Sequence, residues 1–276
     1  MKYETINNLN VPKIGFGSAR LGGRFAGGML ADRTHDEFFL SALRSALSLG
    51  FTHFDTAEFY AGGHAEELIG RAIQDAGVKR EKIFVTTKIW PNHLSYKNVL
   101  RACGNSLRRL QVGYIDAYLI HWPNPLVPMK ETFRALNQLI KEGKIKHVGV
   151  SNFNAKLIQR AQSLCETPLF ANQIPYSLTN RYYAKNGTLE YCQQNNIIVT
   201  GYTPVNHGHI AAEGALQSIA DVRHVTPYQV ALAWLVNQPR VITIPLSFNP
   251  KHQKENLDAA DIELNPDEMN QLNQLA

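Results

Sequence analysis

Between residues 14 and 244, short apolar runs alternate with segments of helical period. The runs are Ile14–Gly17, Phe51–Phe54, Ile83–Thr87, Ile115–Ile120, Ile145–Val150, Leu169–Gln173, Ile197–Tyr202 and Val241–Ile244. They are rich in Val, Ile, Phe and Tyr, as parallel strands buried on both faces tend to be. Between them, Phe38, Phe39, Ala42, Leu43, Ala46 and Leu47 recur at helical spacing. So do Val99, Ala102, Cys103, Ser106 and Leu110, and then Leu136, Leu139 and Ile140. Gly143 suits the position just past the end of the third helix. Thr226 and Pro227 form an N-cap and first-turn pair ahead of Tyr228–Val236. The opening stretch KYETINNLNVPKIGFG reads as a β-hairpin with Asn7 and Asn8 in its turn.

Each of the eight strands is followed by a helix, and no Pro-, Gly- or Ser-rich linker divides the chain. A repeat of about 34 residues suits a (β/α)8 TIM barrel preceded by the hairpin, in one domain spanning residues 1–276. The competing architecture, an open doubly wound sheet, requires a Gly-rich first turn. The stretch GFGSAR (residues 15–20) lacks the third glycine and reads as a loop.

Composition narrows the function classes. The chain has 276 residues, of which 44% are hydrophobic and 18% charged, which excludes a largely disordered protein. The net charge is +5, from 28 basic and 23 acidic residues. The basic residues are scattered rather than clustered, which argues against nucleic-acid and membrane-surface partners. No apolar stretch approaches the length of a membrane span, and the N-terminus MKYETINNLN has no signal-peptide core. Cys103, Cys165 and Cys192 have neither metal-ligand nor disulfide spacing and read as small buried apolar residues. A cytoplasmic monomer acting on a small molecule is the expectation.

In a barrel of this kind, chemistry sits at the C-terminal ends of the strands. Those ends carry Asp55, Lys88, His121, Ser151, Asn152, Gln173 and Tyr202, with Tyr60 just beyond the second strand. Asp55, Lys88 and His121 are spaced 33 residues apart, which predicts equivalent heights on adjacent strands. A buried Asp–Lys pair with a core imidazole is the structural explanation. The same residues with Tyr60 also make a proton relay. Lys88 beside the phenol is expected to lower the Tyr60 pKa from about 10, with Asp55 keeping Lys88 charged. Tyr60 then serves as general acid, and His121 donates to a substrate oxygen. None of these groups delivers two electrons, so a redox reaction needs a bound cofactor. Ser151, Asn152 and Gln173 suit a planar carboxamide, and Tyr202 offers a face for a flat ring.

The segments FDTAEFY (54–60), LIHWP (119–123), GVSNF (149–153), NQIPY (172–176), TPYQVALAWL (226–235) and IPLSFNPKHQKEN (244–256) resemble blocks of the aldo-keto reductase superfamily. The resemblance covers nearly the whole chain. It implies reversible NAD(P)H-dependent reduction of aldehydes or ketones to alcohols, with catalytic roles on Asp55, Tyr60, Lys88 and His121 and Tyr60 as proton donor. It places nicotinamide binding on Ser151, Asn152, Gln173 and Tyr202. Further cofactor contacts fall on Thr203 and Pro204, in the loop after Tyr202, and on Ser247, His252 and Asn256. The chain departs from the family pattern at Leu246 and His252, where NADPH-preferring members carry Lys and Arg for the 2′-phosphate. Lys251 and Lys254 lie close enough in sequence to substitute, and NADH use is expected alongside NADPH.

Phe59, Trp90 and Trp122 follow strand ends and are expected to form an apolar substrate wall, with Arg20–Phe25 adding a loop. The chain stops just after its last helix, so an open, tolerant pocket is expected. Two other readings keep the barrel. One is a nucleotide-binding regulatory subunit like the potassium-channel β subunits. The other is a metal-dependent hydrolase using His53, Asp55, His64 and His121, which the charge on Lys88 opposes. His53 reads more simply as a hydrogen-bonded core residue, and His207 and His209 as solvated loop residues. No metal is expected.

Overall fold

The computed structural model describes residues 2–6, 9–23, 30–210 and 214–275. The strands are β1 (Tyr3–Ile6), β2 (Leu9–Pro12), β3 (Phe16–Gly17), β4 (His53–Asp55), β5 (Phe84–Ile89), β6 (Ile115–Ile120), β7 (Ile145–Ser151), β8 (Ala171–Pro175), β9 (Ile198–Tyr202) and β10 (Val241–Thr243). β1 and β2 pair antiparallel, with Ile6 opposite Leu9, as the hairpin pattern predicts. Asn7 and Asn8 lie outside the described residues. The other eight strands form one parallel sheet in the order β10-β9-β8-β7-β6-β5-β4-β3. Helices alternate with them along the chain.

The chain divides into two compact units, residues 16–172 and residues 1–15 with 173–276. In the first unit, β3 to β7 are followed in turn by helices Asp36–Leu49, His64–Asp75, Tyr96–Leu110, Met129–Lys141 and Ala155–Gln162. The three predicted stripes are largely buried, with Leu47 and Ile140 half-buried at their edges. Val99, Ala102, Cys103, Ser106 and Leu110 are all buried. In Asp36–Leu49 the buried set is Phe39, Leu40, Ala42, Leu43 and Ala46, while Phe38 is 55% exposed. Leu40 therefore replaces Phe38 in the apolar stripe. Gly143 takes a left-handed φ of +68°, which costs a residue without Cβ little.

The second unit holds the hairpin, β9 and β10, and the helices from Tyr182–Lys185 to Pro266–Asn273. Thr226 caps Pro227–Val236, accepting from the Gln229 N–H while Gln229 answers to the Thr226 N–H, a reciprocal capping box. That helix is apolar all round because nearly every side chain in it is buried. Lys13 is held by Glu4 at 2.6 Å and donates to the Gln238 and Val241 carbonyls, tying the hairpin to the entry of β10. Among the described residues no helix is long and apolar enough to cross a membrane.

Candidate active site

The central group lies wholly within residues 16–172. β4 ends at Asp55, β5 carries Lys88 one residue before its end, and His121 follows β6. The register differs from the equal heights expected from the 33-residue spacing. Asp55 pairs with Thr86, and Lys88 pairs with Leu119. Lys88 and His121 thus each sit two positions beyond the preceding residue's partner. A step of two preserves the face of the strand, so all three side chains stay on one side. The reach of Lys88 then closes the gap.

Lys88 is fully buried, and its ammonium spends its three protons on three acceptors. They are Asp55 Oδ1 at 2.6 Å, the Thr56 carbonyl at 2.7 Å and Tyr60 Oη at 3.5 Å. Burial by itself would lower the Lys88 pKa. The charge of Asp55 first, with interactions to Tyr60, outweighs it, and the group is held above its ordinary value. Asp55 is 1% exposed, so neither charge of the pair is left to water.

Tyr60 departs from expectation. Its pKa is raised rather than lowered: burial of the phenol is the largest influence and acts upward, Lys88 pulls it down, and Asp55 pushes it up. The low dielectric that strengthens the Lys88 contact also penalises phenolate, and here the penalty wins. Tyr60 therefore holds its proton at neutral pH, the form a general acid requires.

His121 is 8% exposed, and its ring stands 5.7 Å from the Tyr60 ring at 85°. Burial first and Lys88 second lower its pKa to about 3, so the imidazole is neutral. Its Nδ1 has no hydrogen-bond partner among the described residues. His53, on the same sheet, is likewise lowered to about 3 and bonds Thr86 Oγ1 at 3.0 Å. His64 bonds Asp36 Oδ1 at 2.7 Å and Glu67 Oε2 at 2.8 Å, an arrangement that occupies both ring nitrogens.

These buried neutral rings make stability pH-dependent. An unfolded histidine titrates near 6.5, so below that pH the unfolded chain binds protons that the folded chain refuses. The stabilisation is complete above about pH 6.5 and is lost as pH falls toward 3. Calorimetry is expected to show Tm falling between pH 6.5 and 4, with a shallower slope in His53→Asn. Equal slopes in the two proteins would contradict the buried neutral imidazole.

Beside His121 lie the aromatic residues. Phe59 and Trp90 stack at 3.9 Å and 11°, and each meets His121 nearly edge-on, at 6.4 Å and 5.9 Å. Trp122 is 44% exposed. At the end of β7, Ser151 and Asn152 are buried. Asn152 takes a left-handed φ of +64° and donates from Nδ2 to the His121 carbonyl at 3.1 Å and to Ser151 Oγ at 2.9 Å. Of the expected Arg20–Phe25 loop, the last two residues lie outside the described residues.

Within the second unit, Gln173 is buried in β8 and Tyr202 is half-buried at the end of β9. Thr203 has a left-handed φ of +53°, and Pro204 behind it is buried. Ser247 is half-buried, and its carbonyl accepts from the buried Gln253 at 2.9 Å. His252 is exposed in the first turn of helix Pro250–Asp258, and Asn256 is half-buried in the same helix. Lys251 and Lys254 face Glu255 at 3.8 Å and Asp258 at 2.6 Å.

Sequence reading missed two carboxylates. Glu58, half-buried in the Tyr60 turn with its side chain turned from water, accepts from the Trp90 N–H. Its signal was a second acid between Ala57 and Phe59 in FDTAEFY. Glu66 is fully buried, bonded by Arg109 Nε at 2.6 Å and Thr87 Oγ1 at 2.6 Å. Arg109 lies 43 residues away, and nothing local in the sequence announces that pair.

The comparisons with known proteins agree with one another. The chain superposes on a thermostable aldo-keto reductase crystallised with the inhibitor epalrestat, at TM-score 0.95 and 38% identity over all of both chains. It matches an aldo/keto reductase of Klebsiella pneumoniae, solved with NADP and acetate, at TM-score 0.87 and 33% identity over 99% of this chain and 95% of that one. These likenesses define a (β/α)8 barrel oxidoreductase. A methylglyoxal reductase of Escherichia coli is 32% identical over 95% of this chain and 90% of its own length. A glyoxal reductase of Bacillus subtilis is 33% identical over 85% of this chain and 82% of its own. The model of the aldo/keto reductase family matches residues 13–276. The chain belongs to the aldo/keto reductase family and is an NAD(P)H-dependent carbonyl reductase.

Proposed function

We propose that the protein reduces aldehydes, small α-oxoaldehydes and aromatic aldehydes among them, with Tyr60 as the proton donor. The observation that carries the reading is the Asp55–Lys88–Tyr60 chain, a buried ammonium holding one carboxylate and one protonated phenol. Glyoxal and methylglyoxal reductases among the relatives support the substrate class.

A nicotinamide, when bound, supplies the hydride that reduces the carbonyl carbon. Tyr60 supplies the proton to the carbonyl oxygen, and Lys88 stabilises the phenolate left behind until solvent returns the proton. Asp55 holds Lys88 charged. His121, neutral, orients the carbonyl oxygen by donating to it as negative charge develops. The buried hydroxyl of Ser151 and carboxamide of Asn152 have the chemistry to hold a nicotinamide carboxamide. Gln173 offers a further amide and Tyr202 a ring face, and Thr203, Pro204, Ser247, His252 and Asn256 make the remaining cofactor contacts. Phe59, Trp90 and Trp122 line the substrate side. The whole chain is read as one domain, in keeping with a family match that runs from residue 13 to 276.

NADPH is the favoured cofactor, with relaxed selectivity. Leu246 and His252 stand where the family resemblance places basic residues. Loss of one charged contact costs about 1.5–3 kcal/mol, or roughly tenfold to a hundredfold in affinity. The exposed Lys251 and Lys254 pairs are weak and yield readily to a phosphate. Oxidation of each cofactor is followed by absorbance with methylglyoxal and with 4-nitrobenzaldehyde. Both aldehydes are expected to be turned over, with kcat/KM for NADPH above that for NADH by less than about a hundredfold. A larger preference refutes the relaxed selectivity, and no turnover of any aldehyde refutes the substrate class.

A further inference from the structure

Glu58 occupies a position that the catalytic scheme leaves without a task. Its side chain is 8% exposed, and a carboxylate so withdrawn from water needs compensating donors. Both come from the loop after β5. The Trp90 N–H donates to Oε1 at 2.5 Å, and His93 Nδ1 meets the same oxygen at 3.0 Å. The Glu58 N–H in turn donates to the Lys88 carbonyl at 3.2 Å. Glu58 thus joins the turn after β4 to the loop after β5.

Those two segments carry the two halves of the aromatic stack. Phe59 is next to Glu58 in the chain, and Trp90 supplies the N–H that Glu58 accepts. Two rings on separate loops slide over one another unless their backbones are held in register, because offset stacking is shallow in energy. Glu58 supplies that register at the backbone of Trp90 itself. The stack it fixes stands 5.9 Å and 6.4 Å from His121.

We propose that Glu58 is a specificity-determining positioning residue: by bonding the Trp90 N–H and His93, it holds the Phe59–Trp90 stack as a rigid wall for aromatic carbonyl substrates. The proposal rests on the reading of Phe59 and Trp90 as substrate-lining. An aromatic aldehyde uses that wall. A three-carbon oxoaldehyde has little apolar area to place on it.

The test is a comparison of kcat and KM for 4-nitrobenzaldehyde and methylglyoxal at saturating NADPH, in wild type, Glu58→Ala, Glu58→Gln and Trp90→Ala. In Glu58→Ala the KM for 4-nitrobenzaldehyde is expected to rise about tenfold more than that for methylglyoxal, with the ratio of kcat values unchanged. Glu58→Gln, whose amide oxygen accepts the same two protons, is expected to stay within about twofold of wild type. Acrylamide quenching of tryptophan fluorescence gives a second readout, taken in a Trp122→Phe background. There Trp234, 1% exposed, is shielded and Trp90 reports, so Glu58→Ala is expected to increase quenching. An equal loss of kcat on both aldehydes with an unchanged KM ratio overturns the proposal, as does unchanged quenching. Trp90→Ala separates the two readings. If it shifts the KM ratio and Glu58→Ala does not, the proposal falls and the wall stands. If Trp90→Ala leaves the ratio unchanged, the wall falls and the proposal with it.

Discussion

Tyr60→Phe is expected to lower kcat by about 10²–10⁴-fold while NADPH binding, read by titration of protein fluorescence, stays near wild type. The substitution removes one oxygen. The ring remains against His121, and Lys88 keeps its two closer acceptors, Asp55 and the Thr56 carbonyl. The fold and the charge pair therefore survive, and only the proton is lost. Burial holds the phenol protonated, and Lys88 holds its own protons against Asp55 and the Thr56 carbonyl. Neutral His121 is far less acidic than a phenol. Wild-type-like turnover in Tyr60→Phe, with the same cofactor affinity, would move the acid role away from Tyr60.

Lys88→Met is expected to have the larger effect on stability. Asp55 and Lys88 are almost wholly withdrawn from water, with side-chain exposures of 2% and 0%. Removing the ammonium leaves a buried carboxylate without its counter-charge, and breaking such a pair costs about 3–5 kcal/mol. For a chain of this size each kcal/mol lowers Tm by about 2–4 °C, so a fall on the order of 10 °C is expected by calorimetry. Asp55→Asn combined with Lys88→Met removes both charges and is expected to recover part of that loss. The double variant still lacks the ammonium that stabilises a Tyr60 phenolate, so its activity stays low. Recovery of stability without recovery of kcat separates the structural role of the pair from its catalytic one. A single variant as stable as wild type would show that Asp55 finds another partner or protonates at little cost.

Much of the architecture was legible along the chain because it rests on local signals. Apolar runs of strand length, helical stripes and the Thr226–Pro227 cap are set by neighbours within about ten residues. The observed elements match them to within a few positions. The departures have physical causes. Phe38 has the right spacing for a buried stripe but faces water, since the burial of a helix position depends on what packs against it. The equal spacing of Asp55, Lys88 and His121 did not translate into equal register, because strand offset is a property of paired strands.

The chain by itself determined which residue types stand at the strand ends, and therefore the chemistry open to them. A carboxylate, an amine, an imidazole and a phenol at those positions read as a proton relay from the sequence alone. Only the tertiary structure decided the direction of the Tyr60 shift. That direction is a contest between burial and the charge of Lys88, and burial is a quantity no single residue possesses. The same holds for Glu58 and for the Glu66–Arg109 pair, whose partners are distant in sequence and adjacent in space. Local patterning specifies elements and donors. Desolvation and long-range pairing exist only once those elements are packed.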